Sequence, residues 1–528
     1  MVISGKSADK STSTQQRLCG SFAEDICSAT TRGRWSVPKH QLLALTLHHL
    51  TGKAEVVTLL HRYGHCTSYT GVLELETALA TQVLQEDSIV PANISTTEKK
   101  VIHLCWDNFD LNEETPSGSG TTHTTHGIAI QETVGENNTE KVSKSLVKSR
   151  QRGLQVPPST SLPCVIRKNA EPSLHLRKNC DGESTGNVNS TKDTHSREQL
   201  WILCRGQYNS KFTVPDWSGW LSMTSEEGVT EKTMLSRIGY MSPIMLPITE
   251  FATVKKCLDL SLAVSEKVQQ EYTLVTMDLA AARIAYDIIW SNGSVYEKVL
   301  LNIGPFHTMC SYMGSLGKMM CDSGFEDIII EAGLCASGSI QQVMSGKHYN
   351  RAMRVHQRMM EALERMLQMS LINNTQDVDN EQLLSLATLA NEPSAINIQT
   401  VEGCDSSEQY LTNLEENKNC IRDGKNGKTA QFWLKYCDCV WLLLRFQRSV
   451  KENQLSLFRI TLRNMCSLLF SADHLPYAKF LPVYYDQLCN IEENQPGAKE
   501  LLQAGGFSVA RSTVPACRIP VDQSINRP

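Results

Sequence analysis

Between residues 270 and 320 the chain reads strand, helix, strand, helix, and that order leaves few folds open. The run "QEYTLVTMD" (270–278) is apolar and ends on Asp278. "LAAARIAYDIIW" follows with helical spacing, then "EKVLLNIG" (297–304) as a second strand. In "PFHTMCSYMGSLGKMM" the residues Phe306, Met309, Met313, Leu316 and Met320 share one side of a helix. Strands joined through helices predict parallel neighbours in an α/β fold. An earlier run, "EKKVIHLCWDNFD" (98–110), stops abruptly on Asp107, Asn108 and Asp110. With "PSGSG" as a turn, "HGIAIQE" returns as the second strand of a hairpin.

These runs divide the chain. Residues 1–36 are Ser/Thr-rich and expected to be disordered. Residues 37–90 predict a helical, helix-turn-helix-like module. Its helices are "PKHQLLALTLHHL" starting at Pro38, "KAEVVTLLHRY" after Gly52, and "SYTGVLELETALATQVL" after Gly64. Ser68 is placed to cap the third, whose stripe is Val72, Leu75, Leu79 and Val83. Residues 98–131 begin the α/β core and 199–340 complete it. The polar stretch 132–198 is expected to be a disordered insertion. A basic amphipathic helix is expected over 341–371, a flexible polar insertion over 372–428, and a helical region over 429–528.

The 528 residues are 41% hydrophobic and 20% charged, which permits a sizeable core. A formal net charge of −5 and a pI near 6.3 give no global case for nucleic acid, so any such case rests on local patches. The 18 cysteines are scattered with no CxxC pair, as in a reducing compartment with free thiols. The start "MVISGKSADKSTSTQQ" has no apolar signal region, and no run of about 18 apolar residues predicts a membrane span. A nuclear or cytoplasmic, non-secreted protein is expected.

Asp107 and Asp278 each end an apolar strand. Two carboxylates at adjoining strand ends are what a pair of Mg²⁺ ions needs for phosphodiester chemistry. Aspartate also caps helices and makes turns, so the plain structural reading stands beside the metal reading. In "GKHYNRAMRVHQRMMEALERMLQ" (346–368) the residues Lys347, Arg351, Arg354, Arg358 and Arg365 fall on one narrow ridge, interrupted by Glu361. Ala352, Val355, Met359, Leu363 and Met366 cluster on another side. Such a ridge fits a DNA backbone or a solvated face equally well. Met344, Met353, Met359, Met360, Met366 and Met369 are expected to fill core. Lys39, Lys53, His61, Arg62 and His65 in the N-terminal helices suggest a second DNA contact. His123 and His126, with His103 and Cys105, match no standard zinc spacing.

Four blocks together carry a resemblance: "LALTLHHLTGKAEVVTLLHRYGHCTSYTGVLELE", "VIHLCWDNFDLNEETPSGSGTTHTTHGIAI", "YTLVTMDLAAARIAYDIIW…VLLNIGPFHTMCSYMGSLGKMM" and "FSVARSTVPACRIPVDQSIN". They resemble a largely uncharacterised invertebrate family of transposon-derived proteins. The second and third blocks are also similar to the motif order of Mutator-like transposases. The resemblance implies a ribonuclease-H-like mixed sheet, Mg²⁺-dependent DNA strand cleavage or transfer, and Asp107 and Asp278 as catalytic metal ligands. His307 in "GPFH" matches a landmark of the family. Where relatives read Asp-Gln-x-x-Glu, this chain reads Asp522-Gln523-Ser524-Ile525-Asn526, so Asn526 stands at the expected Glu. Glu331 in "IIIEAG" is the alternative third carboxylate. Two expectations follow. One is a transposase-like DNA-binding protein. The other is a domesticated, non-enzymatic DNA- or protein-binding protein on the same scaffold. Self-association is compatible with either.

Overall fold

A computed structural model describes residues 13–85, 89–91, 93–97, 100–113, 120–132, 150, 188–206, 215–225, 234–374 and 405–525. Its chain divides into two compact units, the first holding residues up to Ser88 and the second everything from Ile89 apart from 137–161.

The first unit contains α1 (Ser13–Thr30), α2 (Pro38–Thr51), α3 (Ala54–Arg62) and α4 (Tyr69–Gln85). Pro38 sits in the first turn of α2, where its missing N–H costs nothing. Gly52 ends that helix at φ 65°, and its N–H reaches the His48 carbonyl at 2.8 Å. Ser68 accepts the Gly71 N–H at 3.1 Å, as expected of a cap. Ala44, Val57, Cys66 and Val72 form the small core where α2, α3 and α4 meet. Leu79 is exposed rather than part of it. Helix α1 departs from the expected loose N-terminus. Its polar face holds it to α2: Asp25 accepts Lys39 Nζ at 2.6 Å and pairs with His40 Nε2 at 2.9 Å.

The second unit is built on a five-stranded sheet in the order β3-β2-β1-β4-β5. The strands are β1 (Ile102–Glu113), β2 (Gly120–Glu132), β3 (Ser236–Tyr240), β4 (Thr273–Met277) and β5 (Val299–Ile303). β1, β2 and β3 run antiparallel; β1, β4 and β5 run parallel. The expected hairpin and parallel pair thus share one mixed sheet, with β1 at its centre. Between β2 and β3 lie α5 (Val188–Gly206) and α6 (Trp217–Thr224). α7 (Phe251–Lys267) joins β3 to β4, α8 (Leu279–Ser291) joins β4 to β5, and α9 (Pro305–Met319) leaves β5.

Alternation along β1 assigns its two faces. Ile102, Leu104 and Trp106 enter the main core, where the Trp106 indole donates to Ser261 Oγ of α7 at 2.9 Å. His103, Cys105 and Asp107 face the other way. There Cys105 packs with Ile128 and Ile130 of β2 and with Val509 and Val521, which are brought by the two-stranded ribbon β6 (Ser508–Val509) and β7 (Ile519–Pro520) and the following helix. Further helices are α10 (Phe325–Glu331), α11 (Tyr349–Asn374), α12 (Asp405–Arg422), α13 (Lys428–Lys451), α14 (Leu455–Ser471), α15 (Leu475–Cys489) and α16 (Val521–Ile525), with short helical turns between some of them.

Two expected polar stretches are shorter than their composition suggests. Residues 188–198 already belong to α5, and 405–422 form α12. Ion pairs to buried acids hold α5 to α11 and α13, and a buried pair holds α12 to α11, a tertiary support invisible to composition. The rest of the two insertions, 133–149 with 151–187 and 375–404, lies outside the described residues. "CDCVWLLLRF" falls within α13, which is buried on several sides. No helix among the described residues is long and apolar enough to cross a membrane.

Candidate functional site at the strand ends

The parallel register places Cys105 beside Thr276 and Trp106 beside Met277. One residue further along each strand come Asp107 and Asp278. They therefore lie next to each other where the parallel pairing stops, with neighbouring strands about 4.8 Å apart. β4 ends there as expected, but Asp107 does not close its strand, because β1 runs on to Glu113 against β2. Asp107 is 3% exposed, and its Oδ1 accepts the Asn108 N–H at 2.8 Å. Asp278 is the N-cap of α8, with Oδ1 accepting the Ala281 N–H at 2.9 Å. The capping role and the site role are compatible, because a cap uses one carboxylate oxygen.

A third carboxylate arrives from a distant segment. Asp522, 1% exposed in α16, reaches the first turn of α9. Its Oδ1 accepts the Phe306 N–H at 3.0 Å, and its Oδ2 accepts the His307 N–H at 3.0 Å. The His307 ring completes the grip, with Nδ1 at 3.0 Å from the same Oδ2. The approach is open only because residue 304 is glycine, since a Cβ there would collide with the Asp522 carboxylate. A negative side chain at this helix start also answers the macrodipole of α9.

The electrostatics show that these groups sense one another. Burial disfavours the charged His307 ring. The hydrogen bond to Asp522 and the charges of Asp522, Asp107 and Asp278 outweigh it and lift His307 to about 9. His307 is therefore an imidazolium at neutral pH. Burial first, then the same three carboxylates, push the Cys105 thiol well above its ordinary value. Burial and Asp522 push Cys310 up to about 12. The site thus consists of Asp107, Asp278, Asp522 and His307, walled by thiols that stay protonated.

Of the residues singled out from sequence, Asp107 and Asp278 come together. Glu331 does not join them: it is exposed at the end of α10, and neither His307 nor Cys105 responds to it. The buried acid that does join them is Asp522. Asn526 lies outside the described residues. Among those residues, no three His, Cys, Asp or Glu side chains form a ready-made metal cage. Asp107 and Asp278 nonetheless have the hard oxygen donors Mg²⁺ prefers. Asp522 already accepts three hydrogen bonds from the first turn of α9, so its oxygens are less open to a cation than those of an unengaged carboxylate.

The basic ridge is only partly a ridge. Lys347 precedes α11, and Arg351 and Arg354 are exposed on its first turns. Arg358 and Arg365 instead turn to Glu361, at 3.3 and 2.5 Å, where Arg205 of α5 also binds at 2.7 Å. Glu361 read as an intruder on a surface stripe. It is the 3%-exposed hub of an internal ion cluster. Met344, Met353, Met359 and Met360 are core as expected, whereas Met366 and Met369 are exposed. His103 is buried, with Nε2 2.7 Å from Thr276 Oγ1, and His126 stacks on Phe109.

A family model described as a domain of unknown function, DUF8702, matches residues 216–527, more than half of the chain. The chain belongs to the DUF8702 family. Asp278, His307 and Asp522 fall inside the DUF8702 region, while Asp107 and its hairpin precede it. Comparison with curated proteins and with solved structures gives no match.

Proposed function

We propose that this DUF8702 protein is a DNA-binding protein of transposase descent, with a ribonuclease-H-like core in which Asp107 and Asp278 are the divalent-cation pair. The single observation that carries the reading is the adjacency of those two aspartates where the parallel pairing of β1 with β4 stops. The strand order supports it: three antiparallel strands followed by two parallel ones, with the acid-bearing strand central, is what a sheet of that kind requires. Bound Mg²⁺ would supply charge neutralisation and activation of an attacking oxygen. Asp107 and Asp278 would hold it. His307, charged and fixed by Asp522, offers a positive group beside them for a phosphate oxygen. Lys347, Arg351 and Arg354 remain open for DNA phosphates.

A second reading, a non-enzymatic binding protein on the same scaffold, is favoured by one feature. The third acid of the site is already engaged by the Phe306 and His307 N–H groups and the His307 ring. Purified protein incubated with supercoiled plasmid and Mg²⁺ separates the two. Nicking that is lost in Asp107→Ala and in Asp278→Ala supports the enzyme. Salt-sensitive DNA binding without nicking supports the binding protein. Absence of both ends the DNA reading.

A further inference from the structure

The chain carries 8 tryptophans, and all but one are buried or partly buried; Trp35 alone is exposed, at 69%. It stands in the loop "TTRGRWS" between α1 and α2, beside Arg32 and Arg34, which are exposed as well. The loop is anchored at both ends. At its start, the Arg32, Gly33 and Arg34 N–H groups bond the Ala29, Ser28 and Thr31 carbonyls at 3.2, 2.8 and 3.1 Å. At its end, Val37 is buried and Pro38 opens α2. Arg32 and Gly33 both adopt left-handed backbone, at φ 54° and 71°, which turns the chain sharply between these anchors.

The charge of the loop is not compensated locally. The acids nearest in sequence, Glu24 and Asp25, face α2: Glu24 accepts the Lys39 N–H at 2.7 Å, and Asp25 binds Lys39 and His40. Among the described residues neither Arg32 nor Arg34 has a carboxylate partner. An exposed indole costs solvation free energy, and two unpaired guanidiniums beside it repel each other. Together they match a ligand that alternates negative groups with flat aromatic surfaces. Duplex DNA offers the phosphates but hides its base faces in the stack. Single strands offer both.

We infer that the Arg32–Trp35 loop is a contact for single-stranded nucleic acid, with Arg32 and Arg34 on successive phosphates and Trp35 stacked on an unpaired base. This deepens the DNA-binding half of the proposed function and is independent of the cation pair. The test uses the full-length protein with fluorescein-labelled 20-nucleotide single-stranded DNA, single-stranded RNA of the same sequence, and the DNA duplex. Fluorescence anisotropy is read over a series of salt concentrations. Trp35→Ala is expected to weaken single-strand binding by roughly five- to a hundredfold, with Trp35→Phe retaining most of it and duplex binding little changed. Arg32→Gln with Arg34→Gln is expected to lower the single-strand salt slope by about 1.4. The DNA and RNA arms identify which strand is preferred. All three positions are exposed, and far-UV circular dichroism checks that the variants fold. Wild-type binding that Trp35→Ala leaves unchanged, or weakens equally for strand and duplex, overturns the loop assignment alone. No binding by the wild type to any of the three overturns both the assignment and the DNA reading.

Discussion

Two charge clusters in the second unit show opposite bookkeeping. At the strand ends, Asp107, Asp278 and Asp522 face one imidazolium, so negative charge is in excess. In the seam between α5, α11, α12 and α13 the acids are matched or outnumbered. Glu361 meets Arg205, Arg358 and Arg365; Glu364 meets Lys418; Glu198 meets Arg445 and Arg448. Where every acid has a basic partner the cluster holds helices together, whereas acids in excess are left able to take a cation from outside. The contrast teaches that burial of charge alone does not mark function. The sign and size of the remainder do.

The largest effect should come from unbalancing the matched cluster. Lys418 is 1% exposed and donates to Glu364 at 2.9 Å, and the Trp441 indole donates to the same carboxylate at 2.8 Å. Lys418→Met strands a buried carboxylate and is expected to cost about 3–5 kcal/mol in urea unfolding. Adding Glu364→Gln should return a large part of that loss. If the double variant is no better than the single one, the pair is not the source of the stability.

Acid should weaken the same helical region next. His356 is fully buried, 3.0 Å from the Tyr436 hydroxyl through Nδ1, and burial pulls it down to about 4. The unfolded chain takes up that proton near 6.5 and the folded chain only near 4. Stability from the neutral ring is therefore whole above about 6.5, falls as pH drops through that window, and is gone below about 4. The loss amounts to about 3 kcal/mol. His356→Gln should flatten the decline measured between pH 7 and 4.

Smaller effects belong to the strand ends. Gly304→Ala drives a methyl into Asp522, which is expected to cost about 1–3 kcal/mol and to loosen α16, read as faster amide exchange at residues 521–525. Asp107→Asn should act in the other direction. It relieves like charge while its amide oxygen still accepts the Asn108 N–H, so a gain of about 1 kcal/mol in thermal unfolding is expected. Millimolar Mg²⁺ should raise the melting temperature of the wild type and not that of Asp107→Asn. Equal responses would place the excess charge elsewhere. Last, Arg351→Gln with Arg354→Gln should lower the duplex-DNA salt slope by about 1.8 and leave stability unchanged. Arg358→Gln should instead cost stability, because its guanidinium helps hold buried Glu361.

Four of the five strands were legible as apolar runs; β3 (Ser236–Tyr240) was not, because its five residues are short and half polar, and β1 and β2 extend through polar residues beyond the runs that marked them. The pairing of Asp107 with Asp278 was legible from where those runs stop. Asp522 was not, because its partners Phe306 and His307 lie more than 200 residues away and two of its three donors are backbone N–H groups. Helical spacing predicted the Arg358 and Arg365 face correctly but could not show that Arg205 and Glu361 would turn it inward. Helix α1 was missed for a related reason. Its apolar residues Leu18, Phe22 and Ile26 are spaced for a helix, yet all three are exposed, and polar residues make its contact with α2.

The long reach from Asp522 to the α9 start also sets an order of events during synthesis. Asp107, Asp278 and His307 leave the ribosome well before residue 522 exists. Until then the nascent α9 has no acid on its leading N–H groups and His307 has no fixed counter-ion. Closing that contact waits for residue 522, so a chain paused in translation upstream of it carries Asp107 and Asp278 without the acid that fixes His307 and without the Val509 and Val521 cover of the same sheet face.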